Sequence, residues 1–352
     1  MGKSDLAVAL DVGSRTIKGL VYGISDNGSI IKGHKRVAIE MPAAYTADRI
    51  VGELHTMLAS AIKEFGRVPA KVTAGFGTSL ADYRVEQWDM EPGAKAHLDR
   101  KDMVEYFGRL FEQHTKEDRA MIATPAGVEV NGYPLLAEVL RRDVRHSLIA
   151  PGETVHSIRF RTLVSYFPPE TGALLAEMKQ MLGGVPIEFI PLASAYQEAL
   201  AQRLNVRDAV LIDVGGTSTM VVMLKDGALA QTAAFPLGVS QIGGKPVRSG
   251  DKKLIALWSR SLNDALDFLY PFGPLTGETY LCGGGAYLSE VRAYIEQGEW
   301  LKTLSYAAAP NVTVLEGKSL FADNMLKGFL QGPEDAGLAS VICYGMHHEV
   351  II

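Results

Sequence analysis

Two short segments of this chain carry residues that could grip a polyphosphate, and they present them in the same order. The first runs Leu6-Ala7-Val8-Ala9-Leu10-Asp11-Val12-Gly13-Ser14-Arg15-Thr16-Ile17-Lys18-Gly19, the second Ala209-Val210-Leu211-Ile212-Asp213-Val214-Gly215-Gly216-Thr217-Ser218-Thr219-Met220. A corner of Gly and Ser offers backbone N–H groups at close range, because no Cβ blocks an approaching anion and successive amides can converge on it. The candidate phosphate contacts are Gly13, Ser14 and Arg15 at the first corner and Gly215, Gly216, Thr217 and Ser218 at the second. A nucleoside triphosphate brings Mg²⁺, which favours oxygen ligands and keeps several of its waters, so a carboxylate ahead of each corner suits coordination through water. Asp11 and Asp213 hold those two positions. Lys18, on the strand leaving the first corner, is either a charge partner for phosphate or an ordinary solvated strand lysine. Alone, Asp-x-Gly at a strand end is commonly a plain turn. Its repetition in a matched context is what points to nucleotide.

A third segment adds to the pair. Thr279-Tyr280-Leu281-Cys282 reads as a strand that breaks into Gly283-Gly284-Gly285, followed by a helix expected from Ala286 to about Ile295. Glycines between strand and helix let backbone approach a ligand, and a helix N-terminus favours anions. A flexible turn explains a lone glycine run equally well. After two phosphate corners, the run reads as a nucleotide contact.

The elements that must hold these residues follow from periodicity. Each Asp-Val-Gly ends a buried apolar strand, turns, and returns as a second apolar strand. The returning strands reach Asp26-Asn27-Gly28 and Asp226-Gly227, which are hairpin turn signals, and continue into third extended segments. Ile50, Leu54, Met57, Leu58, Ala61 and Phe65 fall at helical spacing before Gly66 and Pro69. From Ala70 to about Phe167 the texture changes to strands at Lys71–Phe76, Tyr83–Met90, Arg119–Val130 and His156–Phe167, with one helix at Arg100–Phe111. Leu174–Leu182 then reads as a helix, Val185–Ile190 as a strand and Leu192–Leu204 as a helix feeding the second corner. Leu254, Trp258, Leu262, Ala265, Leu266 and Leu269 mark a further helix whose stripe is core. The division expected is a first lobe of residues 1–69 and 168–204, an insert of 70–167, a second lobe of 205–330, and a final segment of 331–352 returning to the first lobe.

Composition bounds the function. With 352 residues, 47% hydrophobic and 21% charged, the chain can bury two cores. A net charge of −5 gives no electrostatic footprint for nucleic acid, and the basic groupings Arg141–Arg145 and Lys245–Lys253 read as solvated faces. Cys282 and Cys343 lack metal spacing and fit a reducing compartment. No apolar run is long enough to span a bilayer and no leader is apparent, so a cytoplasmic protein without direct membrane insertion is expected.

Asp11-Val-Gly-Ser, Asp213-Val-Gly-Gly-Thr and Cys282-Gly-Gly-Gly, in this order, resemble the first phosphate, second phosphate and adenosine motifs of the actin, heat-shock chaperone and sugar-kinase superfamily of ATPases. Pro191-Leu-Ala-Ser-Ala-Tyr is similar to the connecting helix between the lobes. The resemblance implies an α/β, actin-like (ribonuclease H-like) two-lobed fold with ATP and Mg²⁺ between the lobes. The insert resembles subdomain 1C of the cell-division protein FtsA and the pilus-assembly protein PilM, and Asp11 to Gly19 reads closer to FtsA. Ile190 stands where actin and MreB place a polar residue that orients water, so the resemblance implies at most a slow ATPase, with Asp213 and, by substitution, Glu188 as its catalytic candidates. Between Gly244 and Thr279 there is room for little more than one helix, so subdomain 2B is expected to be reduced or absent. FtsA relatives end in a linker and membrane helix, whereas this sequence stops at Glu349-Val-Ile-Ile, so the resemblance implies membrane attachment through a partner or through residues beyond those given.

Three functions follow from the resemblance. The first is an FtsA-like adaptor or filament subunit of bacterial cell division, partnered by the division-ring tubulin homologue. The second is a PilM-like module that captures a peptide of an inner-membrane protein. The third is a small-molecule kinase on the same fold, for which Asp99, Asp102 and Asp143 make unconvincing bases because all lie in the insert.

Overall fold

The computed structural model describes residues 5–25, 30–40, 47–115, 121–135, 148–150, 152–169, 171–173, 175, 185–243, 251–272, 274–297, 310–321, 326 and 328–347. Most of the helix expected over Leu174–Leu182, the Arg141–Arg145 group with Asp143, the stretch from Lys245 to Gly250, and the last five residues lie outside them.

The apolar run Asp5–Val12 (β1) is buried from its second residue onward because both of its faces are covered. Thr16–Ile24 (β2) and Ile30–Glu40 (β3) follow antiparallel, and Lys71–Phe76 (β4) and Ile187–Pro191 (β9) extend the sheet in parallel, giving the order β3-β2-β1-β4-β9. The second sheet repeats the plan with Ala209–Val214 (β10), Thr219–Lys225 (β11), Ala228–Phe235 (β12), Glu278–Cys282 (β13) and Asn311–Val314 (β14), in the order β12-β11-β10-β13-β14. The duplication therefore extends from motif to topology.

Alternation along β1 decides what each face receives. Leu6, Val8, Leu10 and Val12 point to one core, shared with Met57 and Leu58 of the helix Ala47–Phe65 (α1). Ala7 and Ala9 point to the other, where small side chains admit two helices, Leu192–Arg203 (α3) and Ala336–His347 (α7). The same cluster contains Leu211, Met220 and Val222 of the second sheet, so one core spans both lobes. On the outer face of the second sheet, Lys252–Leu269 (α5) buries Trp258, Leu262, Ala265, Leu266 and Leu269. Its N-terminus is capped by Asp251, which accepts from Lys253 N at 2.8 Å.

Asp82–Met90 (β5), Met121–Val130 (β6), Tyr133–Leu135 (β7) and Ile158–Tyr166 (β8) form a separate antiparallel sheet, ordered β5-β8-β6-β7. The helix Arg100–His114 (α2) covers one face of it with Met103, Tyr106 and Leu110 against Trp88, Val128 and Phe160. Between β12 and β13, the described residues hold only the short helix Val239–Ile242 (α4), α5 and a 3₁₀ turn at Tyr270–Phe272. Among the described residues, no helix is long and apolar enough to cross a membrane.

Candidate functional site

Each phosphate-type corner is closed by its own glycine. Gly13 N donates to Thr16 O at 3.1 Å and Gly215 N donates to Ser218 O at 2.9 Å, so Ser14-Arg15 and Gly216-Thr217 form the tips. The tips meet. Thr217 N donates to Ser14 Oγ at 3.0 Å, and a Cβ on Gly216 would fall 2.8 Å from both Ser14 Oγ and Arg15 Cβ. Only glycine permits that approach. A third segment joins them, since Thr78 Oγ1, in the turn after β4, lies 3.3 Å from Ser218 Oγ.

Behind the tips the two carboxylates form an electrostatically linked pair. Asp11, 7% exposed, is held above the usual carboxylate range first by burial, with Lys18 opposing and Asp335 adding to the rise. Lys18 stands opposite it in the β1–β2 register, with Nζ 3.6 Å from Asp11 Oδ2, and also donates to Glu334 O. Lys18 is thus not a solvated strand lysine. Asp213 is pushed up to about 6, again first by burial and then by Asp11, while the hydroxyl of Tyr196, which donates to Asp213 Oδ2 at 2.9 Å, pulls it down. Both carboxylates resist ionisation chiefly because burial strips them of solvent, and Lys18 offsets only part of that penalty.

That imbalance is the test of fit for Mg²⁺ and a phosphate chain. The donor set has two carboxylates and small-residue tips, and a divalent cation held through its waters would neutralise the charge that burial leaves uncompensated. Among the described residues, no three His, Cys, Asp or Glu side chains cluster as a metal cage. The residues fit a metal carried mainly by phosphate and water. Because the tips touch, a phosphate chain entering between them must replace the Ser14–Thr217 hydrogen bond.

The glycine run borders the same carboxylate. Gly283 has φ +79°, and a Cβ there would sit 2.5 Å from Val214 O and against Asp213 Oδ1. Its amide donates to Pro333 O at 3.0 Å. Gly285 packs on the Val214 side chain, and Gly284 lies beside Val239. The helix expected from Ala286 begins later: Gly284–Tyr287 is a 3₁₀ turn, and the α-helix runs Ser289–Gln297 (α6). The close packing of Gly283 and Gly285 on Val214 makes the chain turn more tightly before a regular helix starts. Between α5 and α6 lies a cavity of about 450 Å³ lined by Lys252, Ser259, Arg260, Asn263, Glu290 and Tyr294.

Glu188 lies elsewhere. It is paired in register with Thr73 on β4, which in turn faces Ala9, so it sits two residues deeper along the strands than Asp11. Its carboxyl is pushed up to about 7 by burial, with Lys71 opposing, and neither Asp11 nor Asp213 figures in its surroundings. The structure does not bring it to the corners. Ile190, level with Gly75 and Asp11, is 1% exposed and belongs to the shared core. Asp99 and Asp102 cap α2 reciprocally, Asp102 N donating to Asp99 Oδ1 at 2.9 Å and Asp99 N to Asp102 Oδ2 at 3.1 Å.

Several site residues escaped the sequence reading. Tyr196 carried a signal, as part of the connecting-helix motif, but no role. Gly238 and the start of α4 carried none: Val239 N and Ser240 N donate to Gly215 O and Gly216 O at 2.9 and 2.8 Å, buttressing the second corner from behind. Gly337 on α7 is a third, since a Cβ there would lie 2.8 Å from Asp11 Oδ2.

No protein-family model matches this chain, and no curated protein matches it in sequence. Solved structures do match. The chain is similar to a structure described as the PilM–PilN type IV pilus biogenesis complex, with TM-score 0.57 and 18% identity over 97% of this chain and 99% of that one. The ethanolamine utilization protein EutJ from Carboxydothermus hydrogenoformans aligns at 10% identity over 98% of this chain and 90% of that one, with TM-score 0.47. A Bacteroides thetaiotaomicron protein, described as having an actin-like ATPase fold and unknown function, aligns at 9% identity over 88% and 91%, with TM-score 0.42. At 18% identity the first likeness is one of fold. The chain has the two-lobed, α/β actin-like ATPase fold.

Proposed function

We propose that this chain is a nucleotide-dependent adaptor, in which ATP with Mg²⁺ acts as a conformational ligand and the output is a docking state for another protein. The observation that carries the reading is the pair of glycine corners in contact, backed by two buried carboxylates with too little positive charge between them. Gly13, Ser14, Arg15, Gly215, Gly216, Thr217 and Ser218 would hold the phosphates, Lys18 would balance charge, and Asp11 and Asp213 would hold the waters of the metal. Gly283, Gly284 and Gly285 would pass the nucleoside toward the cavity between α5 and α6, where Arg260 and Tyr294 offer stacking and Asn263 hydrogen bonding. Bound ATP would supply negative charge and a divalent cation. The chain's own residues would bind, orient and close around it.

Hydrolysis would be slow. Ile190 cannot orient water, and Glu188 lies two residues deeper along the strands than Asp11. Isothermal titration with ATP and Mg²⁺ tests the reading: heat is expected from the intact protein, with at least a tenfold loss in Asp11→Ala and Asp213→Ala, and no heat from the intact protein would end it.

For the partner, the matched extent of this chain and the PilM chain favours a module that captures a short peptide from an inner-membrane protein of a pilus system, beside the inserted sheet. Recruitment to the inner face of the membrane would then pass through that partner. The second reading, an FtsA-like division adaptor able to form filaments, is favoured by the run Asp11-Val-Gly-Ser-Arg-Thr-Ile-Lys-Gly. Pull-down with inner-membrane pilus peptides and with the division-ring tubulin homologue separates the two: capture of the peptide alone supports the first, and capture of the tubulin homologue alone the second.

A further inference from the structure

The two corners repeat one another except in what faces the carboxylate. In the first, Lys18 stands opposite Asp11 across the hairpin; in the second, the same register position opposite Asp213 is Met220. The second carboxylate takes its partner from outside the hairpin. Tyr196, on α3 and 1% exposed, donates from its hydroxyl to Asp213 Oδ2 at 2.9 Å. Cys282, level with Asp213 on β13, hydrogen-bonds to Tyr196 in turn. A hydroxyl has one proton and Asp213 receives it, so the thiol donates and the order runs from Cys282 to Tyr196 to Asp213. Burial holds the Tyr196 hydroxyl well above its ordinary range, and it stays a donor.

The difference between a lysine and a tyrosine at this place is one of charge. A lysine orients a carboxylate and cancels it, whereas a hydroxyl orients it and leaves the charge in place. The torsion that turns an aspartate carboxylate is broad, so a fixed donor decides where each oxygen points. With Oδ2 held by Tyr196, Oδ1 lies on the side of Gly283, where a Cβ would press against it. We propose that Tyr196 is a positioning residue of the metal site: it fixes the Asp213 carboxylate without neutralising it, so that the charge facing the metal's waters is oriented before the nucleotide arrives. This rests on the nucleotide reading above.

Isothermal titration of the full chain with ATP, once with Mg²⁺ and once with EDTA, measures the metal-dependent gain in affinity. Tyr196→Phe is expected to cut that gain about tenfold, the scale of one hydrogen bond to a charged group, and to leave metal-free binding within about twofold of the parent. In an Asp213→Ala background the same substitution is expected to change nothing further, because the group it positions is gone. Ser194→Ala, which removes the contact of α3 with Thr124, is expected to keep the parent's gain. If Tyr196→Phe does not fold, 3-fluorotyrosine at position 196 keeps both ring and hydroxyl, and fluorine NMR takes the place of titration. Its resonance is expected to move when Mg²⁺ joins the nucleotide complex, and to stay when Asp213→Ala is also present. The proposal is overturned by an absent gain in the parent, a gain unchanged by Tyr196→Phe, an equal loss with and without metal, or a fluorine resonance blind to Mg²⁺. No heat from the intact protein overturns the nucleotide reading itself, whereas heat with an unchanged gain overturns the role of Tyr196 alone.

Discussion

At the scale of single residues, the charge on Asp213 governs both stability and binding. Its proton is held more tightly in the folded chain, to about 6 against 3.8 for the unperturbed group, so protonation stabilises the fold. That contribution is fully present below about pH 4 and is lost as pH rises through about 6. Asp213→Asn, neutral at every pH, is therefore expected to raise the melting temperature at pH 7 in the absence of nucleotide and to flatten its dependence on pH between about 4 and 6. It should also abolish the stabilisation that Mg²⁺ and ATP give the parent, since the same negative charge is what attracts the metal. Differential scanning calorimetry across pH reads both effects, and a variant that melts lower at pH 7 would contradict the electrostatic account. Asp11 and Asp213 were legible in the sequence because each lies within a local motif. Tyr196 and Gly337 were not recognisable as their neighbours, because those contacts cross 17 residues in one case and most of the chain in the other. The depth of Glu188 along the sheet was not legible for a related reason, because it depends on register with β4.

At the scale of elements, the corner between β13 and α6 is where backbone and site depend on each other most directly. Gly283→Ala is expected to cost about 2 kcal/mol or more, combining a left-handed φ with a methyl driven against Val214 O and the Asp213 carboxylate. Urea unfolding should show the lower midpoint, and titration should show weakened nucleotide binding; an unchanged midpoint would mean the loop relaxes freely. Both hairpins were readable, since apolar strands ending in Asp-Val-Gly allow few alternatives. β7 was missed although Asn131-Gly132, with φ of +50° and +82°, is the turn signal that announces it. β14 was missed because four residues pairing only along β13 leave too little periodicity to detect.

At the scale of the molecule, the segment before α7 bridges the lobes. Asp335, 1% exposed, pairs with Arg36 of β3, and Pro333 O accepts from Gly283 of the second lobe. Tyr287 OH donates to Glu334 Oε2 at 2.5 Å from that lobe as well. Arg36→Ala leaves a buried carboxylate without its cation and is expected to cost about 1–3 kcal/mol. It should also speed nucleotide release several-fold, because one of the ties that keep the lobes closed is gone. Stopped-flow displacement of a fluorescent ATP analogue measures the rate, and release no faster than the parent would show that Arg36 supports the first lobe alone. The overall plan was legible from the repeated motif, but the bridging role of residues 332–335 was not, because it is built from side chains that no local pattern groups together.

The position of α7 bears on how the chain is made. Leu338, Ala339, Val341, Ile342 and Cys343 complete the core that Ala7 and Ala9 begin, and Val341 packs directly over Gly75. A ribosome delivers those partners after both sheets. Throughout synthesis, then, the first sheet must present an uncovered apolar face while the second lobe has already had time to close its outer core around Trp258. Of the two lobes, the one that emerges earlier is the one that must wait for α7.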